Sequence, residues 1–115
     1  MSGSLEVPQL ADLQTLAVEV VPQEEVGVVS VTAAAADGAA VTLTWDEIAC
    51  LAAIRWRGSD GERVRIEREA VTKVAVREDG EGVEFRVWLR RHDLAGQLVV
   101  RVGSSVSVSD TILRA

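Results

Sequence analysis

A chain of 115 residues, 48% apolar and 26% charged, has the composition of a globular protein and not of a disordered polymer. Its net charge of −6 argues against general affinity for nucleic acid, and no stretch approaches the ~20 apolar residues of a membrane-spanning helix. Cys50 is the only cysteine and the N-terminus lacks the basic start and apolar run of a secretory signal, so a cytoplasmic protein without disulfides is expected.

In chain order, residues 1–14 read as an arm with one helical turn started by Pro8 and carrying Leu10 and Leu13. Residues 15–115 read as a single domain, rich in valine and poor in aromatics, which favours strands. Leu16, Val18 and Val20 alternate with Ala17 and Glu19, the period of a half-buried strand that Pro22 ends. Strands at 26–35 and 39–44 flank Ala36-Asp37-Gly38. A three-residue loop with Gly38 in the left-handed region pairs Val41 with Ala33, Thr42 with Thr32 and Leu43 with Val31, which keeps one face apolar.

An amphipathic helix is predicted at about 45–57. Thr44 and Glu47 have capping-box spacing, and Trp45, Ile48, Ala49, Ala52 and Trp56 recur at helical intervals with Leu51 beside them. Arg55 and Arg57 suit a last turn, Gly58 suits a C-terminal cap, and Ile48 and Ala52 are expected to face the sheet.

A strand at 62–67 follows, then a hairpin of strands 72–78 and 83–91 around Asp79-Gly80-Glu81-Gly82. Pairing Val76 with Phe85 and Val74 with Val87 sets Arg77 against Glu84, whereas a two-residue slip sets Lys73 against Arg86; the first register is preferred. Strands at 97–102 and 105–109 complete the sheet, the last being one-sided and suited to an edge. The fold class expected is α+β, predominantly antiparallel β: a curved meander sheet or sandwich with one helix packed on it.

Catalytic chemistry is poorly supported. His92 is the only histidine, and Asp93 beside it on a strand end points to the opposite face, so it does not orient the ring. Cys50 stands among Ala49, Leu51 and Ala52 and reads as a small buried hydrophobe. Metal ligands at usable spacing are lacking, Asp79-Gly80-Glu81-Gly82 reads as turn chemistry, and the serines from Ser104 to Ser109 have no nucleophile elbow or base. No cofactor, no metal and no enzyme activity are expected.

Two features point to binding. With Phe85, Val87 and Leu89 inward, strand 83–91 turns Glu84, Arg86, Trp88 and Arg90 outward. Lys73, Ala75 and Arg77 on one side and Val99 and Arg101 on the other share that face, giving a tryptophan ringed by arginines. The alternative to a binding role is that another part of the chain covers Trp88. The second feature is charge: residues 1–54 carry eight acids and no lysine or arginine, while residues 55–115 carry twelve basic and ten acidic residues. Such a split implies two unlike faces, or complementary surfaces between protomers.

The function expected is a non-catalytic protein-interaction module, an adaptor, assembly subunit or small inhibitor, binding a partner or a second copy of itself through Trp88, Arg86, Arg90, Lys73, Arg77, Arg101 and Val99. Val106, Val108, Ile112 and Leu113 form the expected oligomer edge. The alternative is an anion- or nucleic-acid-binding domain using the same arginine face through stacking on Trp88.

Overall fold

Alternation of apolar and polar residues dominates this chain, and the computed structural model turns nearly all of it into strands. It describes residues 5–114, with side chains through Ile112. Strands β1 (Glu19–Pro22), β2 (Val28–Ala34), β3 (Ala40–Asp46), β4 (Leu51–Gly58) and β5 (Gly61–Arg68) form one antiparallel sheet in chain order. Strands β6 (Val71–Asp79), β7 (Gly82–Arg91), β8 (Leu94–Val102) and β9 (Val106–Arg114) form a second. Each sheet is a meander, because short turns can join only neighbouring antiparallel strands.

The inner faces share one core. Val31, Leu43, Trp45 and Ile54 from the first sheet meet Phe85, Val87, Leu98 and Val100 from the second in a single buried cluster, so the fold is a sandwich. Burying a side chain such as Phe85 contributes about 1.5–3 kcal/mol. Two backbone hydrogen bonds clamp the sheets at one end: Ala36 N–H donates to the Gly103 carbonyl at 2.9 Å and Asp37 N–H to the Ser104 carbonyl at 3.1 Å. Gly82 belongs to the same end, where a Cβ would fall 2.2 Å from the Val102 carbonyl oxygen. No helix among the described residues is long and apolar enough to cross a membrane.

The two hairpin registers hold. Thr32 faces Thr42, Ala33 faces Val41 and Val31 faces Leu43, with Gly38 at φ +94°. Val76 faces Phe85, Val74 faces Val87 and Arg77 faces Glu84. The expected helical turn is α1 (Leu10–Leu13), four residues long, and Leu13 is fully buried while Leu10 is exposed. Residues 1–4 of the expected arm lie outside the described residues; Glu6 forms a parallel bridge with Lys73 and so lies along the free edge of β6. The first strand begins later than its pattern suggests, at Glu19, so Leu16 and Val18 pack on the core from the segment before it.

The helix expected at 45–57 does not form, and with it goes the α+β class: the fold is mostly antiparallel β. That stretch is the end of β3, a turn and β4. Ala52, Ile54 and Trp56 also alternate with Ala53, Arg55 and Arg57, so the segment fits period 2 as well as period 3.6. Tertiary pairing decides, because β4 supplies the partner for both β3 and β5. The capping box is absent for a local reason. Thr44 Oγ1 is engaged across the strands with Ser30 Oγ at 2.7 Å, and Asp46 Oδ1 accepts the Ile48 and Ala49 N–H groups, both at 3.0 Å. Gly58 therefore pairs with Gly61 in a hairpin and caps no helix. Ile48, expected against the sheet, is 74% exposed at the turn, whereas Ala52 is buried as expected.

Candidate functional site

The outer face of the second sheet carries cross-strand rows fixed by register. One row runs Lys73, Trp88, Gln97, Thr111; the next runs Ala75, Arg86, Val99, Ser109; a third runs Arg77, Glu84, Arg101, Ser107. Directly opposed residues on one face are close enough to interact, so the rows act as short chains of contacts.

Trp88 is half-buried, and its own neighbours do the covering. Lys73 Nζ lies 5.1 Å from the ring centroid and Arg86 Cζ 5.8 Å, within cation–π range. With its amide oxygen turned toward them, Gln97 accepts from Trp88 Nε1 at 3.1 Å and from Arg86 Nη1 at 3.2 Å. The ring stays on the outside of the sandwich, as the alternation of its strand requires.

The cations of this face are largely neutralised within it. Glu84, only 9% exposed, receives Arg86 at 3.1 Å and Arg101 at 3.3 Å. Arg101 also reaches Asp79 at 3.0 Å, and Lys73 pairs with Glu6 at 3.5 Å. The Asp79 carboxyl is held below its ordinary value. The Glu81 N–H is the largest cause, desolvation comes next and opposes it, and the hydrogen bond and charge of Arg101 and the Gly82 N–H add to it. Arg77 and Arg90, both exposed, carry no ion pair among the described residues. The structure thus brings Trp88, Arg86, Lys73, Arg101 and Val99 together, while Arg90 stands a row away opposite Ala95.

The expected oligomer edge is β9, which is an edge strand of the second sheet. Val106 is buried and Val108 packs partly on the core, so both serve the sandwich itself. Ile112 is 56% exposed, and the Leu113 side chain lies outside the described residues.

The residues weighed for chemistry stand apart. His92 is exposed on the β7–β8 turn with φ +55°, and Cys50 ends the β3–β4 turn with φ +56°. No group of three or more His, Cys, Asp or Glu side chains among the described residues is placed to hold a metal ion.

Sequence reasoning missed a second surface, at the turns before β2 and after β3. The Glu47 N–H donates to the Gly27 carbonyl at 2.9 Å, and a Cβ on Gly27 would lie 3.3 Å from Ile48 Cγ1, so the two turns are packed together. They expose Val26 by 83% and Ile48 by 74%, beside a pocket of about 460 Å³. The signal in the sequence was the apolar Ile48, read there as a helix position.

No protein-family model matches the sequence, and no curated protein matches it. Among solved structures, the chain is similar to one from a contact-dependent growth inhibition toxin–immunity protein complex from Klebsiella pneumoniae 342. The TM-score is 0.77 at 15% identity, with 95% of this chain and 97% of that chain covered. At that identity the likeness is one of fold.

Proposed function

We propose that this chain is a non-catalytic protein-binding module of the inhibitor kind, holding a partner protein as an immunity protein holds its toxin. The observation that carries the reading is the likeness, over nearly the whole of both chains, to a chain from a toxin–immunity protein complex. The immunity side of such a pair suits this chain better than the toxin side, because its one histidine and one cysteine are on separate turns. The contact proposed is the outer face of the second sheet around Trp88, with Arg86, Lys73, Arg101, Val99, Arg77 and Arg90. Tryptophan and arginine are the types that dominate binding energy at interfaces. The anion or nucleic-acid reading of the same face is weaker, since Lys73, Arg86 and Arg101 already have carboxylate partners that a phosphate would have to displace.

The test is a native pull-down with the tagged chain, read by mass spectrometry and followed by size-exclusion chromatography of the recovered pair. One protein in fixed stoichiometry, lost or weakened on Trp88→Ala, is the expected result. Self-association alone, or salt-sensitive capture of nucleic acid without protein, would overturn the reading.

A further inference from the structure

Most acids of the first half find no cation in this fold. Of the eight carboxylates in residues 1–54, only Glu6 makes an ion pair among the described residues. The other ion pairs join residues of the second half to one another, as Arg55 with Glu62 and Arg68 with Asp110. A complementary surface for these acids is not supplied by the described part of the chain.

Four of the unpaired acids, Glu24, Glu25, Asp46 and Glu47, are carried by the two packed turns. The same turns and the start of β4 expose Val26 by 83%, Ile48 by 74% and Leu51 by 39%. Exposed apolar tips grouped on interlocked turns contribute little to the fold and are of the kind that interaction sites use. Beside them lies the pocket of about 460 Å³, with Val28, Leu51 and Ala52 among its apolar walls and Glu25, Asp46 and Glu69 among its carboxylates.

Two donors on residues lining this pocket are unsatisfied. Trp45 is 1% exposed and its Nε1 has no acceptor, and Arg68 Nε, whose guanidinium is otherwise held by Asp110, has none either. Both atoms are closed to solvent, and Trp56 Nε1 and Arg86 Nε share the condition elsewhere in the chain, so the Trp45 indole N–H serves as a buried reporter at the pocket wall.

We propose that these two turns and the adjoining pocket form a docking site for a cationic polypeptide segment. An apolar side chain of that segment packs on Ile48 and Leu51, and flanking lysines or arginines meet Glu25, Asp46 and Glu47. The inference rests on the reading that the chain binds a protein, and it is independent of the Trp88 face. Polypeptide is favoured over nucleic acid by the sign of the charge and by the apolar tips.

The probe is an end-capped peptide of sequence Lys-Arg-Leu-Leu-Arg-Lys, titrated into the full ¹⁵N-labelled chain, with Glu-Asp-Leu-Leu-Asp-Glu as its control. The expected result is saturable shifts of the 25–28 and 46–52 amides and of the Trp45 indole N–H by the cationic peptide alone, weakening with salt. The pair Ile48→Ser, Glu47→Lys lowers that affinity about tenfold or more, as does Val26→Ser, Glu25→Lys on the other turn, while Trp88→Ala changes it by less than about twofold. All four positions are exposed, so unchanged spectra of the strands show that the variants fold. Absence of binding, shifts centred elsewhere, or indifference to both double variants overturns the docking site. Capture of a protein by a chain that fails to bind the cationic peptide sinks this inference and leaves the protein-binding reading standing. Peptide binding with no protein partner captured does the reverse.

Discussion

The Trp88 face and the Ile48 turns are both charged and both carry apolar groups, yet most charges of the first have partners in the chain and those of the second have no cation among the described residues. On the Trp88 face the β ladder sets side chains opposite one another at fixed spacing; Glu84, Arg86, Arg101 and Asp79 neutralise one another there, and Lys73 is met by Glu6 of the arm. On the turns no ladder imposes such spacing, and Asp46 spends its carboxylate on the Ile48 and Ala49 N–H groups. Glu24, Glu25 and Glu47 meet no cation among the described residues. Composition alone would rank the tryptophan–arginine face first. Pairing shows that what distinguishes an open surface is whether its charges have partners in the same chain.

The sharpest way to break this comparison is to delete apolar contacts on either side of the β3–β4 turn. Ile54, 1% exposed, packs in the core, while Ile48 is 74% exposed six residues earlier. Ile54→Ala should lower the unfolding free energy by about 2–5 kcal/mol through lost burial and a residual cavity. Ile48→Ala should stay within about 0.5 kcal/mol of the parent. Chemical denaturation of the two variants checks both, and a large cost at Ile48 would mean that the turn belongs to the core.

That pair of isoleucines also shows what the sequence could and could not convey. The register of both hairpins was legible, because loop chemistry at Gly38 and the Lys73–Arg86 clash left one arrangement with an apolar face. The outward placement of Trp88 was legible from alternation alone. The stretch 45–57 was misread because Trp45, Ala52 and Trp56 satisfy both periods, and only the need of β3 and β5 for a common partner decides between them. The docking turns were invisible for a related reason: an apolar residue looks like core until the fold shows it outside. A sandwich was one of two architectures the pattern allowed, but the point where the chain changes sheets was hidden, since the turn from β5 to β6 at Glu69 and Ala70 resembles any other short connection.

A smaller effect sharpens the other side of the comparison. Trp88 is held between Lys73 and Arg86, and each cation–π contact is worth about 0.5–1 kcal/mol at an exposed site. Trp88→Ala should therefore lower stability by about 1–2 kcal/mol, well short of the cost of emptying a core site. Affinity for a captured partner should fall by about 2 kcal/mol or more if the face is the contact. Thermal denaturation and a binding isotherm on the same variant separate the two effects. Unchanged affinity would leave the Trp88 face as self-contained packing and shift attention to the turns.

The smallest effect concerns the carboxylate network that makes the Trp88 face complete. Asp79 is held below its ordinary value by the Glu81 N–H first, against desolvation, with Arg101 and the Gly82 N–H adding to it. A carboxyl whose value is lower in the folded than in the unfolded chain stabilises the fold above the unfolded value. That contribution is lost as pH falls through the folded one. Asp79 should thus contribute at neutral pH and progressively less below about pH 4, as its proton returns. Asp79→Asn keeps an oxygen for the Glu81 and Gly82 N–H groups but removes the charge facing Arg101. Its stability should fall slightly below the parent's near neutrality, and its decline on acidification should be shallower, so that the two profiles converge at low pH. Urea denaturation from pH 7 to pH 2.5 provides the measurement. Parallel profiles for the parent and Asp79→Asn would mean that the charge of Asp79, facing the Glu81 and Gly82 N–H groups and Arg101, adds nothing to the folded state, and the charge pairing of this face would then rest on Glu84 and the Lys73–Glu6 pair.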